Sequence, residues 1–252
     1  MTWFNAKLFK AVASLVLAAQ LGNASASVVL SATRVIYAAD APEKTLQFTS
    51  QNDSPSVMQL WVDSGDSEST PQNANAPFIV TPPVFRIDAK AGQTVRLVFT
   101  GKDLPQDRES VFYLNALEIP SVNSAYADQN QMLVMLRNRL KIFYRPTGIE
   151  GSAPKAPEQL SFHLESEAGK WRLSANNASG YYISLTEGGL VSGSRVTTFT
   201  PSMIAPHSGE SWNVESAHIN DSATVRVKVK YVDDYGAIRE AEYPLTFTTG
   251  RN

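Results

Sequence analysis

The sequence contains no cysteine. That excludes a disulfide framework, thiol catalysis and any zinc site built on thiolates, so stability has to come from core packing. Histidine is scarce too: His163, His207 and His218 are the only three, and none sits in a helix with metal-ligand spacing. The Gly-x-Ser-x-Gly elbow, the phosphate-binding loop and the dinucleotide fingerprint are all missing. Acids do occur in pairs, as at Asp233-Asp234, but neighbouring strand residues point to opposite faces and cannot easily share a substrate. These absences weigh against an enzyme and leave no catalytic residue, cofactor or metal to assign. The chain also lacks a basic surplus, with 22 Lys and Arg against 24 Asp and Glu, which gives nucleic acid nothing to hold.

What is present begins with an export signal at residues 1–26. Lys7 and Lys10 flank the apolar stretch Ala11 to Leu21, and Ala24-Ser25-Ala26 fits a small-residue cleavage site. An uncleaved anchor is the alternative, but the stretch is short of the ~20 apolar residues a spanning helix needs. No later segment could span a membrane. The expected mature chain begins near Ser27 and is two charges more negative than the whole-chain value of −2.

Short strand-like runs fill the rest, and no long amphipathic helix interrupts them. Val95, Leu97 and Phe99 share one face of their run, while Val111, Tyr113, Asn115 and Leu117 share one face of another. Turn chemistry separates the runs, as in Gln51-Asn52-Asp53-Ser54-Pro55 and Thr81-Pro82-Pro83. The prolines and glycines between Pro146 and Pro157 cannot continue a ladder. The predicted fold class is therefore all-β: two sandwich domains, 27–146 and 157–252, joined by a linker at 147–156.

Residues 131–145 form the most informative run. One parity carries Met132, Val134, Leu136, Leu140, Ile142 and Tyr144; the other carries Leu133 and Met135, then Arg137, Arg139, Lys141 and Arg145, with Phe143 as an apolar break. As one strand it would reach roughly 45–50 Å, well beyond the common length of about 17–20 Å. Long apolar edges are templates for pairing with another chain, so this strand is either covered or used for pairing.

Several motifs together resemble the periplasmic pilus chaperones of the chaperone–usher pathway, the PapD-like family. They are Thr33-Arg34-Val35-Ile36-Tyr37, Thr81-Pro82-Pro83-Val84-Phe85-Arg86, Leu104-Pro105-Gln106-Asp107-Arg108-Glu109-Ser110, Phe112-Tyr113-Leu114-Asn115, Leu140-Lys141-Ile142-Phe143-Tyr144-Arg145-Pro146 and Asp234-Tyr235-Gly236. The resemblance covers essentially the whole mature chain. It implies two immunoglobulin-like sandwiches with a cleft between them, and a chaperone that stabilises pilus subunits by donor-strand complementation and passes them to an outer-membrane usher. It also implies a periplasmic location and raises self-association of the free protein as an option.

Site residues follow from the same resemblance. Arg34 and Lys141 match the pair that holds the subunit's terminal carboxylate, chemistry that suits two cations. Taken alone, both could be solvated surface charges. Met132, Val134 and Leu136 match the side chains lent to the subunit's open groove, although apolar alternation more commonly packs inside its own domain. Lys141 has the opposite parity to these three, which predicts a bulge or a strong twist between them. Arg96, Glu109, Arg145 and Asp234 match a structural ion network near the domain junction. The polar loop 121–131, with no cysteine beside it, fits the short-loop class. The rival reading is an exported two-domain adhesive or structural surface protein, which would have no reason to pair Arg34 with Lys141 beside an apolar strand.

Overall fold

Period-two alternation becomes strand packed on strand in the computed structural model, which describes residues 28–122, 129–130, 132–167, 170–214 and 225–249. The expected export signal lies outside the described residues, as does most of the 121–131 loop.

The first sandwich is built from two sheets. Strands β1 (Val28–Leu30), β3 (Lys44–Ser50), β7 (Gly92–Phe99) and β5 (Phe78–Thr81) form one, in that order. The other runs β2 (Arg34–Ala38), β9 (Leu136–Arg145), β8 (Ser110–Pro120), β4 (Ser56–Asp63), β6 (Val84–Ile87). Every pairing is antiparallel except β2 with β9, which is parallel. Alternate residues meet between the sheets: Leu46 and Phe48, Met58 and Leu60, Val95 and Leu97, Phe112 and Leu114, Ile142 and Tyr144 are all buried there. The start of β1 is tied across the sandwich, because buried Glu118 accepts the Val28 N–H at 3.2 Å and hydroxyl and amide donors from Ser56 and Asn52.

The second sandwich uses β10 (Leu160–Glu167), β11 (Lys170–Asn177), β12 (Ile183–Ser192), β13 (Arg195–Phe199), β14 (Met203–Ile204), β15 (Ser208–Val214), β16 (Arg226–Val232) and β17 (Ile238–Thr249). Strand β17 belongs to both sheets: Ile238–Pro244 pairs antiparallel with β16, and the stretch from Leu245 runs parallel to β10. Pro244, with no N–H to give, stands at the changeover. Phe162, Leu164, Leu173, Ile183, Ile204, Val227 and Val229 fill the core.

The connector expected at 147–156 runs into structure packed on the second domain. Ala153–Gln159 is a 3-10 helix, and Ile149 and Ala156 are buried in the second core. Tyr243 Oη donates to the Pro157 carbonyl at 2.8 Å. Proline excluded a ladder there, as the composition implied, but the apolar residues between the prolines still had a core within reach.

Candidate functional site

The site is an edge that stops being covered. Strand β2 pairs with β9 from Lys141 to Arg145, Arg34 standing opposite Lys141. Upstream, residues 136–140 of β9 pair with β8 alone. Among the described residues no strand is bonded to their other side, so that row of backbone donors and acceptors is open.

The long strand expected from the sequence is shorter in the fold. Strand β9 starts at Leu136, and Met132–Met135 lie in no ladder. Strand β8 explains this: its pairing with β9 ends at Glu118, and the strand itself ends at Pro120. Without a partner on either side, Met132–Met135 have no ladder to join. Met132 is 91% exposed, Val134 71% and Leu136 48%, so these three do not pack inside their own domain.

The register of β9 against β8 runs from Leu136 to Tyr144 without a shift. Of the predicted bulge or strong twist, the bulge is therefore absent between Leu136 and Tyr144. Leu136 shares the inward parity of Ile142 and Tyr144, and Lys141 takes the outward one. The apolar side chains and the cation serve opposite faces of one strand.

Arg34 and Lys141 face the cleft together, neighbours across a ladder spaced about 4.8 Å apart. Arg34 Nη1 donates across the cleft to the Val232 carbonyl at 3.0 Å and stands 3.5 Å from Ser184 Oγ, while its guanidinium lies 5.6 Å over the Phe143 ring. Its Nε is buried without a hydrogen-bond partner among the described residues. Burial lowers the pKa of Arg34, against the opposing pull of Asp234, Asp233 and Glu109. Burial, then the Arg34 charge, lowers that of Lys141. Among the described residues no carboxylate pairs with either. Two crowded, partly desolvated cations form a site for an anion.

The junction network holds three of its four expected members. Arg145 Nε donates to Glu109 Oε1 at 2.7 Å, and its two Nη atoms fork onto Asp234 at 2.7 and 2.9 Å. Glu109 Oε2 accepts the Tyr182 N–H at 2.8 Å, and the Glu109 N–H donates to the Gly180 carbonyl at 2.9 Å. Burial raises the Glu109 pKa, the Arg145 charge opposing it. Arg96 is the correction. It lies in the other sheet, on β7 between buried Val95 and Leu97, so its side chain points out to solvent, where it meets Glu43 at 3.7 Å. Alternation set its direction, but only the pairing of β7 with β3 and β5 placed it far from the junction.

Three participants had no signal in the sequence. The Val232 carbonyl is a backbone atom. Ser184 is one serine among many. Tyr182, whose ring meets Phe143 at 5.7 Å and whose N–H meets Glu109, is one tyrosine among nine.

Two immunoglobulin-like sandwiches joined by buried ions, with an open strand edge leading to two unpaired cations, define a two-domain protein built to bind another chain. Comparison with known proteins names the family. Residues 27–150 match the pili and flagellar-assembly chaperone PapD N-terminal domain, and residues 155–243 the pili assembly chaperone PapD C-terminal domain. The probable fimbrial chaperone YadV of Escherichia coli (strain K12) is 36% identical, over 96% of this chain and all of that protein. Chaperone protein FimB/FhaD of Bordetella pertussis is 34% identical, over 90% of this chain and 92% of that one. The YadV crystal structure superposes with a TM-score of 0.73 at 33% identity, covering 86% of this chain and 98% of that one. The Salmonella enterica SafB chaperone, solved with the SafA pilin, gives 0.70 at 26% identity, covering 87% and 96%. The chain belongs to the pilus-assembly chaperone family, which is not a family of enzymes.

Proposed function

We propose that this chaperone binds pilus subunits by lending them the open edge of β9. Met132, Val134 and Leu136 fill the subunit's incomplete core, and Arg34 and Lys141 hold its terminal carboxylate. The observation that carries this reading is the position of the cations: the open edge ends where β2 begins, and Arg34 and Lys141 stand at that end. A strand laid on the edge in line with β2 brings its carboxyl end to them only if it runs parallel to β9. Its backbone then completes the unpaired ladder, a known mode of peptide recognition. Fork geometry on Arg34 and a point charge on Lys141 suit a carboxylate.

The same reading places the protein in the periplasm, exported by residues 1–26, with an outer-membrane usher as the second partner. Mass spectrometry of what co-purifies from periplasm identifies subunits and usher together, and N-terminal sequencing checks cleavage near Ala26. Co-expressed subunits are expected to be protected from aggregation by the native protein and lost with Arg34→Ala or Lys141→Ala. Protection that survives both substitutions defeats the proposal. Recovery of the protein at the cell surface rather than in periplasm favours the adhesive alternative.

A further inference from the structure

Strand β9 carries two arginines that neither the cleft nor the junction uses. Arg137 and Arg139 leave the outer face of its open-edge half and turn across the sheet. Arg139 meets Asp63 side-on, Nη2 to Oδ1 at 2.6 Å and Nε to Oδ2 at 3.4 Å, with its guanidinium 3.7 Å over the Tyr113 ring. Arg137 lies 4.9 Å over Trp61 and donates to Asn115 Oδ1 at 3.0 and 2.7 Å. Asp63 is 1% exposed and also accepts from Asn115 Nδ2 at 2.6 Å, Ser69 Oγ at 3.0 Å and the Gly65 N–H at 2.7 Å. Ser69 in turn accepts Trp61 Nε1 at 3.1 Å, which staples the segment after β4 onto the same face.

A strand bonded on one side only is where a sheet opens first. Strand β2 steadies residues 141–145 from the edge, but a strand supporting 136–140 in that way would occupy the edge itself. Support from the face has no such conflict, because side chains hold the strand while its outer backbone groups stay free. The ion pair also locks register. If β9 slips along β8, Arg139 leaves Asp63 as a buried charge without its cation, a costly state.

We propose that Asp63 is a positioning residue. Through Arg139, and through Asn115 to Arg137, it fixes the register and rigidity of Leu136–Leu140 from the outer face, holding the edge ready for a subunit strand. The purpose rests on the strand-lending reading above; the rigidity does not.

Amide hydrogen exchange of the full mature chain, with no client present, tests it. In Asp63→Asn the β8-bonded amides of residues 136–140 should exchange at least about tenfold faster relative to those of 142–144. Ser69→Ala, which removes the hydroxyl that meets Asp63, Trp61 and Arg137 but leaves the Asp63–Arg139 ion pair in place, should give a smaller acceleration in the same amides and serves if Asp63→Asn fails to fold. Uniform acceleration along β9, or none, overturns the proposal. Arg34→Ala separates the two ideas. It should abolish subunit protection and leave exchange at 136–140 unchanged, so loss of the strand-lending reading would not be mistaken for loss of this one.

Discussion

Asp63 shows at the scale of one residue how burial and bonding compete. Burial pushes its carboxyl up, but hydrogen bonds from Arg139, Asn115, Gly65 and Ser69 win and hold it below the usual aspartate value. An acid whose folded pKa is depressed stabilises the fold above its unfolded pKa, and that contribution is lost as pH falls through the folded value. The native protein should therefore lose stability as pH falls below about 5, where an unfolded aspartate begins to protonate. Urea melts at pH 5, 4 and 3 check this, and Asp63→Asn should be less stable at pH 5 but flatter across the range. None of this was legible beforehand. Asp63 ends a strand as an ordinary acid would, and Asn115 and Arg139 lie far from it in sequence.

Strand β9 carries the argument at the scale of an element. Alternation correctly put Ile142 and Tyr144 on one face and the cations on the other, but Phe143, of the cations' parity, is buried at the junction against Tyr182. What alternation could not supply was the length of the ladder, which depends on where β8 and β2 stop. Arg96 was misplaced by motif resemblance instead: alternation on β7 aims its side chain outward, and only the strand pairing shows which sheet owns it. Because Met132, Val134 and Leu136 are exposed, replacing all three with serine should leave the urea midpoint unchanged. Subunit affinity should fall, each lost side chain removing roughly 1.5–3 kcal/mol of burial before ordering costs. Titration of the variant against a co-purifying subunit checks the second half; a shifted midpoint would mean that the three residues serve the chaperone's own fold.

The angle of the whole molecule is set at the junction. Among the described residues it is crossed by the Arg145–Asp234 ion pair, the Glu109–Gly180 backbone bond, the Glu109–Tyr182 contact, the Phe143–Tyr182 ring contact and the Arg34–Val232 bond. An ion group of this kind, with Glu109 buried and its partners partly exposed, need not add stability and can instead set the angle between domains. Asp234→Asn removes one charge of the three and should widen the range of interdomain angles, raising the radius of gyration in small-angle scattering with both cores intact. An unchanged scattering profile would assign the angle to the backbone contacts instead. The two-sandwich plan was readable from strand spacing and the proline-rich connector. The junction was readable only through motif resemblance, because its members come from distant segments and some are backbone atoms.

The end-to-end arrangement of the open edge and β2 has one more consequence. If a subunit strand lies on that edge with its carboxylate at Arg34 and Lys141, the next residue along its path would collide with the start of β2. A subunit with a few extra residues at its end would have to turn them out of the ladder before β2, and one cut short would leave the cations unanswered. The chaperone would then measure where a client chain stops.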